Sequence, residues 1–240
     1  MTDFVYKTVL KKLKQRILNN EFENMRLPDE RSLAQEYKVS RSSMKRALEI
    51  LASQGIVFKK RGSGTFINPL FSKEKSMFHY DGSNLGLTDS LVTLGQAQSV
   101  KVLNFAVVKA GKSVAEDLFI SPEDFVYRFE RLRLVDDKPI LVETSYLPIK
   151  VAPEMTEQVL EDSLFKYLEE VEGKSVNKSF LNLTVSPSTE RDRQLLNLTE
   201  NEPVGVISGI FFQDDGMPCE ISEMRVHYKY MYFNTFVNLS

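Results

Sequence analysis

The 240-residue sequence predicts an α+β protein of two domains. Over residues 1–68, apolar residues recur at helical spacing and are followed by a glycine-centred hairpin. Over residues 85–240, runs with strand composition alternate with short helical patterns, which predicts a mainly antiparallel sheet. Residues 69–84 show no steady period and contain turn-forming residues, so we expect a linker there.

The charges divide at the same boundary. Residues 1–68 carry 14 Lys and Arg against 7 Asp and Glu, whereas residues 69–240 carry 17 against 26, and the whole chain has a net charge of −2. A basic first domain favours a polyanionic partner, and an acidic second domain favours a different ligand. The alternative is an uneven distribution of solvated surface charge without a binding role.

Composition excludes several classes of protein. No apolar run approaches the roughly 18 residues that a membrane-spanning helix needs, and residues 1–20 lack a signal-peptide core. Cys219 is the only cysteine, so neither an intrachain disulfide nor a cysteine-based metal site is possible. His79 is expected to be a solvated linker residue. We therefore expect a cytoplasmic protein without a metal or cofactor.

The first domain has the pattern of a winged helix-turn-helix. One apolar stripe predicts the first helix, through Tyr6, Leu10, Leu13 and Ile17. Asp29 and Ser40 are suited to cap the second and third helices, and the third buries Met44, Ala47, Leu48 and Leu51. Gly55 ends the third helix. Two short strands then meet at Gly62-Ser63-Gly64, where a positive φ has little cost.

Such a fold presents the start of its third helix to the major groove of DNA. Small hydroxyls and cations lie in the first turns of this helix: Ser40, Arg41, Ser42 and Lys45. On the wing, Lys59, Lys60 and Arg61 bring charge to the phosphates, and Gly62 allows close approach. The alternative is that a capped amphipathic helix with a charged outer face has no ligand. A two-fold operator would require a homodimer.

In the second domain, strands are predicted in the runs 100–108, 125–135, 138–147, 177–185, 203–212 and 218–228, and helices in 88–95, 162–173 and 188–198. Arg131 and Arg133 share one sheet face because they are two residues apart. If residues 136–138 form a three-residue hairpin loop, Arg131 lies opposite Glu143. These three side chains suit an anion with hydroxyl groups, and the alternative is a cross-strand ion pair on a solvated face.

Ser163 is a second candidate for anion binding, because it begins a predicted helix whose first amides are free. The alternative is a simple N-cap.

The stretch "LPDERSLAQEYKVSRSSMKRALEILASQGIVFKKRGSGTF" closely resembles the DNA-binding domain of GntR-family bacterial transcription regulators, and the resemblance covers roughly residues 4–68. It implies contacts with the operator from Arg31, Ser40, Arg41, Ser42, Lys45 and Gly62. Lys38 stands where the family often has glycine in the turn.

The second half resembles the UTRA effector-binding domain of the HutC branch, similar in fold to chorismate lyase, over roughly residues 85–236. The resemblance lies in "LTDSLVTLG", "RLRLVDDKPILVETSYLP", "LEDSLFKYLEE" and "DDGMPCEISE". It implies that Arg131, Arg133 and Ser163 hold an anion such as a sugar phosphate, and that Glu143 and Glu220 meet sugar hydroxyls. Two departures are Phe165, where tyrosine is common, and the ending "RVHYKYMYF".

These features together predict a repressor of a carbohydrate uptake or utilisation operon, released from its operator by a small anionic metabolite. Three alternatives stay open. The second domain could be an enzyme of the chorismate-lyase type, although no paired carboxylates or histidine cluster suggest catalysis. The regulator could answer to a non-sugar effector. The chain could also be an architectural DNA-binding protein in which Arg131 and Glu143 are merely structural.

Overall fold

The computed structural model describes residues 2–73, 78–79, 98–231 and 233–234. They form two compact units, one with residues 2–73, 78–79 and 233–234 and the other with residues 98–231. The helix predicted at 88–95 lies outside the described residues. Within the described ranges, we find no helix with the length and apolar character required to cross a membrane.

Three helices make the body of the first unit: α1 (Thr2–Leu18), α2 (Glu30–Glu36) and α3 (Arg41–Ser53). The predicted apolar stripes face a common core, which contains Leu13, Ile17, Leu33, Met44, Ala47, Leu48 and Leu51. Val9 is also buried there, whereas Tyr6 and Leu10 are half-buried at its margin. Helical spacing therefore identified the core of this unit correctly.

The side-chain caps predicted for α2 and α3 are both present. The Asp29 carboxylate accepts hydrogen bonds from the backbone N–H groups of Arg31 and Ser32, each at 3.0 Å. It also accepts one from the Ser32 hydroxyl, and these bonds lower the pKa of Asp29 below its ordinary value. The Ser40 hydroxyl accepts a bond from the Ser43 N–H at 3.1 Å.

Lys38 adopts a left-handed conformation, with φ of 53°, in the turn between α2 and α3. The N–H of Lys38 donates to the carbonyl of Gln35, and the N–H of Val39 donates to that of Ala34. This pair of bonds is the Schellman ending, which favours glycine at the left-handed position. A lysine in this left-handed conformation is strained, because glycine is the residue that adopts it at little cost.

The wing consists of β1 (Val57–Lys60) and β2 (Gly64–Ile67), which pair antiparallel. Part of the segment that the sequence predicts as a linker is regular structure: α4 covers Pro69–Lys73, and β3 covers Phe78–His79. β3 pairs in parallel with β10 (Phe233–Asn234), so residues near the C-terminus belong to the first unit.

The second unit contains one six-stranded sheet in the order β4-β5-β6-β9-β8-β7, with every neighbouring pair antiparallel. The strands are β4 (Gln98–Lys109), β5 (Phe125–Val135), β6 (Lys138–Pro148), β7 (Val176–Pro187), β8 (Pro203–Gln213) and β9 (Pro218–His227). All six predicted strands are present. The α-helices among the described residues of this unit are α5 (Gly111–Leu118), which the sequence did not predict, α6 (Leu164–Glu170) and α7 (Glu190–Leu196).

The β5–β6 hairpin places Arg131 opposite Glu143 and Leu132 opposite Val142, as predicted. The predicted loop length was wrong. Only Asp136 and Asp137 form the loop, and both have positive φ, as a two-residue type I′ turn requires. A β-bulge between Arg133 and Leu134 shifts the strand register by one residue. The two-residue loop and the bulge together therefore give the Arg131–Glu143 pairing that a three-residue loop would give.

The two faces of the sheet differ in character around β5 and β6. On one face, the apolar residues Leu132, Val142, Leu196, Leu198, Val204 and Val206 form a cluster beneath α7. The opposite face carries the predicted charged residues, and a segment containing the 3-10 helix Glu157–Glu161 reaches it, because Leu160 accepts a hydrogen bond from Arg131.

Candidate DNA interface and effector site

The residues predicted to contact DNA are exposed on the first unit. Arg41, Ser42 and Lys45 lie in the first turns of α3, and Arg31 lies at the start of α2. The hydroxyl of Ser40 is used to cap α3 and also lies 2.9 Å from the Ser42 hydroxyl. The structure therefore gives Ser40 a positioning role at the helix start, and leaves the neighbouring Arg41 side chain pointing away from the core.

The wing tip combines exposed cations with glycines in unusual conformations. Lys60, Arg61 and Gly62 are all exposed, and Gly62 has φ of 72° with open space around its Cα. Gly64 has φ of 112°, and a side chain there would lie 3.2 Å from the Arg26 Nε atom. Arg26 in turn stacks over the Phe66 ring at 5.8 Å. A positive φ and a close neighbour thus explain the two wing glycines.

The predicted effector residues of β5 and β6 form one buried ionic cluster. The Arg131 guanidinium donates to the Glu143 Oε2 atom through Nε at 3.0 Å, with Nη2 at 2.9 Å from the same oxygen. Arg133 donates to this oxygen through Nε and Nη2, each at 3.3 Å. The exposed fractions are 2%, 5% and 4% for Arg131, Arg133 and Glu143. The alternative of a cross-strand ion pair on a solvated face is wrong about burial, because all three side chains are buried.

Burial and charge act in opposite directions on this cluster. Burial alone would raise the pKa of Glu143, but the charges and hydrogen bonds of Arg131 and Arg133 outweigh it and hold the pKa below its ordinary value. Burial lowers the pKa of Arg133, and the Glu143 carboxylate opposes that change. Glu143 is thus an anion held between two cations.

Glu220, on β9, is the second buried carboxyl group of the same site, with 1% of its surface exposed. Burial, and then the negative charge of Glu143, raise its pKa to about 7, while Arg131, the Ser145 hydroxyl and Arg133 partly oppose the rise. Its Oε1 atom has no hydrogen-bond partner. Glu220 therefore keeps its proton to a higher pH than an exposed glutamate does.

Two serines that sequence reasoning missed complete the cluster. Ser145 follows Glu143 by two residues on β6, and Ser222 lies opposite Ser145 on β9. The Ser222 hydroxyl donates a long bond of 3.5 Å to the Glu143 Oε1 atom. Both serines are completely buried. The signal that could have found them is the two-residue alternation that places Arg131 and Arg133 on one face.

Ser163 is the N-cap of α6, and its hydroxyl accepts a bond from the Lys166 N–H at 3.4 Å. This is the role that its structural alternative predicted. α6 also carries Phe165, whose ring packs against Phe211 on β8 at 5.2 Å. Phe211 lies directly opposite Glu220 in the sheet, so an aromatic pair adjoins the polar cluster at β9.

The unusual ending "RVHYKYMYF" forms local contacts outside this cluster. The Tyr228 hydroxyl donates to Glu202 at 2.7 Å, and the His227 ring stacks on Tyr228 at 5.1 Å. Backbone bonding from Thr199 and the bond from Tyr228 lower the pKa of Glu202 to about 2. Burial, and then the charge of Lys229, lower the pKa of His227 below its ordinary value.

A winged helix with an exposed basic helix start, followed by a separate sheet domain with a buried polar site, is the architecture of a DNA-binding regulator. Residues 5–67 match the family described as bacterial regulatory proteins, gntR family, and residues 93–231 match the UTRA domain. The chain belongs to the GntR family of bacterial transcription regulators and carries a UTRA domain, in the HutC-like order.

Several relatives match this chain over most of their length. The chain is 32% identical to the HTH-type transcriptional regulator GmuR of Bacillus subtilis over 92% of both chains. It is 29% identical to the mannosyl-D-glycerate transport/metabolism system repressor MngR of Escherichia coli, over 83% of this chain and 82% of that one. The crystal structure of the possible regulator YydK of Bacillus subtilis matches with a TM-score of 0.77 and 26% identity, over 98% and 99% of the two chains. The matched families and relatives are transcription regulators and not enzymes, which rejects the chorismate-lyase alternative.

Proposed function

We propose that the protein represses a carbohydrate uptake or utilisation operon in the cytoplasm, and that a small anionic metabolite such as a sugar phosphate releases it from a palindromic operator to which it binds as a homodimer. The buried Arg131–Arg133 pair is the observation that supports this most strongly. The relative MngR is, by its name, a repressor of a sugar-derivative transport and metabolism system, which favours the same field of metabolism.

Burial of this ionic cluster is not expected to stabilise the fold. Moving two guanidinium groups and a carboxylate out of water costs several kcal/mol per ion, on the order of the attraction that they regain, and well-packed apolar residues often stabilise a protein as much or more. A site for an anion, in contrast, needs arginines that are already desolvated and oriented. The burial of Arg131 and Arg133 therefore favours ligand binding over the purely structural alternative.

The hydrogen bonding of Arg131 supports the same conclusion. Its Nε and Nη2 atoms bond the Glu143 Oε2 atom, whereas Nη1 makes only a 3.5 Å contact with the Leu160 carbonyl. The N–H groups of Nη1, which make this long hydrogen bond to a carbonyl, suit the oxygens of a phosphoryl group. A phosphoryl group binds arginine through two parallel hydrogen bonds. Leu160 precedes α6 by four residues, so an anion there would lie against the chain segment that contains Ser163.

A thermal-shift panel on the wild-type protein tests the effector class. Phosphorylated sugars are expected to raise the melting temperature, because a ligand at 100 times its Kd stabilises the folded state by about 2.7 kcal/mol. The matching unphosphorylated sugars are the control and should have no effect. Stabilisation by other organic anions alone would assign a non-sugar effector, and no stabilisation by any anion would favour an architectural protein.

The DNA-binding part of the proposal is tested by Arg41→Ala. If Arg41 reads guanine through a bidentate contact, its loss costs about 1–3 kcal/mol and relaxes specificity at one position of each half-site. Lys112→Ala is the control, because Lys112 is also an exposed cation but lies on α5 of the second unit. Operator affinity that is the same for Arg41→Ala and Lys112→Ala would exclude this placement of α3.

A further inference from the structure

Arg26 lies in the stretch between α1 and α2, outside the wing hairpin, yet its backbone is joined to the wing. It has the extended conformation of a strand and forms an antiparallel bridge with Phe66 of β2. The next residue, Leu27, is buried, and its N–H donates to the carbonyl of Thr65 at 2.9 Å. Successive residues of an extended chain face opposite sides, so the exposed Arg26 points outward where Leu27 points into the core.

The Arg26 guanidinium is held on the outer face of the wing. It lies over the Phe66 ring, 5.8 Å from the ring centroid, and Phe66 stacks on Phe58 of β1 at 5.9 Å. A Cβ atom on Gly64 would lie 3.2 Å from the Arg26 Nε atom and 3.3 Å from Nη2, so the guanidinium occupies space that a side chain at this position would need. An arginine that is already stacked and oriented loses little further freedom when it binds a ligand.

This position places Arg26 on the same face of the wing as Lys60. Lys60 is the strand partner of Gly64, and it is two residues from Phe58 on β1, so its side chain leaves the hairpin on the face that carries the two aromatic rings. Lys60 and Arg26 are both exposed. The outer face of the wing therefore presents a second cation, which comes from a different part of the chain.

A comparison with Arg16 separates this arginine from a structural one. The Arg16 guanidinium also lies over an aromatic ring, that of Phe22 at 4.7 Å, but it forms ion pairs with Glu21 and Glu36. Among the described residues, no carboxylate forms an ion pair with Arg26. The positive charge of Arg26 is thus available to an anionic partner, whereas that of Arg16 is compensated within the fold.

We propose that Arg26 is a further DNA-contacting residue of the first unit, whose guanidinium donates to a phosphate of the duplex beside the wing. This inference rests on the DNA-binding part of the proposed function and extends it to the chain segment before α2. The oxygens of a phosphodiester accept two parallel bonds from a guanidinium group. Because such a contact does not read a base, Arg26 adds affinity for any sequence.

The structural alternative is that Arg26 serves only to cover the rings of Phe58 and Phe66. Under that alternative, a long apolar side chain would serve as well. Arg26→Met keeps a side chain of similar reach on the Phe66 ring but removes the charge, and Arg26→Lys keeps the charge but removes the planar group. The two variants together therefore separate covering of the rings from binding of an anion.

The experiment measures binding of full-length wild type, Arg26→Met, Arg26→Lys and Lys112→Met to a mixed-sequence DNA duplex of about 30 base pairs, because phosphate contacts form on any sequence. Fluorescence anisotropy gives the affinity between about 0.05 and 0.3 M salt, the range in which such contacts are resolved. Lys112→Met is the control, because Lys112 is an exposed cation of the second unit. Melting temperatures of the four proteins are measured in parallel.

Each phosphate contact contributes about −0.9 to the slope of log affinity against log salt concentration, which corresponds to about eightfold in affinity at 0.1 M salt relative to 1 M. Arg26→Met is expected to reduce the magnitude of this slope by about 0.9 and to weaken binding five- to tenfold at about 0.1 M salt. Arg26→Lys should keep the wild-type slope. Lys112→Met should match the wild type in both slope and affinity.

A wild-type slope and affinity for Arg26→Met would overturn the assignment and leave Arg26 the role of covering the aromatic rings. A slope reduced equally in Arg26→Met and Arg26→Lys would overturn it as well, because the second variant keeps the charge. So would a melting temperature that falls by several degrees in Arg26→Met, since the loss of affinity would then come from a disordered wing. A wild type that binds no duplex at any salt concentration would contradict the DNA-binding function itself, whereas the other outcomes reject Arg26 alone.

Discussion

The raised pKa of Glu220 predicts that this residue makes the fold less stable at alkaline pH. Its carboxyl group is buried, lies near the Glu143 anion, and is only partly compensated by Arg131 and Arg133. Glu220→Gln keeps the shape and the polar character of the side chain but removes its ionisation. The variant therefore isolates the cost of holding a carboxylate at this position.

The magnitude follows from linkage between protonation and folding. The pKa of Glu220 rises from 4.5 to about 7 on folding. Since one pKa unit corresponds to about 1.36 kcal/mol, the shift amounts to a cost on the order of 3 kcal/mol above pH 7. The sign is that of a raised pKa: the contribution of Glu220 to stability is full below about pH 4.5 and is lost as the pH rises through about 7.

The assay is urea unfolding of wild type, Glu220→Gln and Glu223→Gln across about pH 5 to 9, with the free energy of unfolding extrapolated to water. Glu223 is the control, because it lies on the same strand but is about half exposed. Glu220→Gln is expected to lose less stability than wild type as the pH rises, whereas Glu223→Gln should follow the wild type. Parallel pH profiles for wild type and Glu220→Gln would refute the reasoning about this buried carboxyl group.

Three further predictions concern the first unit and the assembly. Lys38→Gly should stabilise the protein by about 1 kcal/mol because it relieves the left-handed strain, and Lys38→Ala, which removes the same charge but keeps Cβ, should not; equal melting temperatures for the two variants would contradict this. Lys60→Ala should weaken binding to all DNA sequences alike and reduce the salt dependence, and a sequence-selective loss would show that the wing reads bases instead. Sedimentation at micromolar concentration should show a homodimer, with two chains per operator, and a monomer bound at one chain per site would exclude the palindromic reading.

Much of the fold could be predicted because its determinants are local. Strand composition marked the six strands, and helical spacing with the caps Asp29 and Ser40 marked α2 and α3. The pairing of Arg131 with Glu143 was also predicted, although through a loop length that proved wrong. A two-residue turn with a bulge and a three-residue turn without one give the same pairing of β5 with β6, so the sequence could not distinguish the two turns.

The burial of the effector site could not be predicted from β5 and β6 alone. The Arg131 guanidinium donates to the carbonyl of Leu160, which lies 29 residues further along the chain. Only the tertiary fold brings these two residues together. Ser145 was missed for a related reason. Two-residue alternation places Ser145 on the face of Glu143, but its neighbours Ser222 and Glu220 come from β9, which follows more than 70 residues later.

The central claim is that an anion held by Arg131 and Arg133 controls operator binding. It is tested most directly by titrating operator release with the sugar phosphate that best stabilises the wild type, for wild type, Arg131→Ala, Arg133→Ala and Arg191→Ala. Arg191 is the control, because it is an exposed arginine that pairs with Glu130 on the other face of the sheet. Each charge-assisted bond contributes about 1.5–3 kcal/mol, so the release midpoints of Arg131→Ala and Arg133→Ala should rise by one to two orders of magnitude, while operator affinity without effector is retained. Equal release midpoints for all four proteins would contradict the claim and would give both arginines a purely structural role in the sheet.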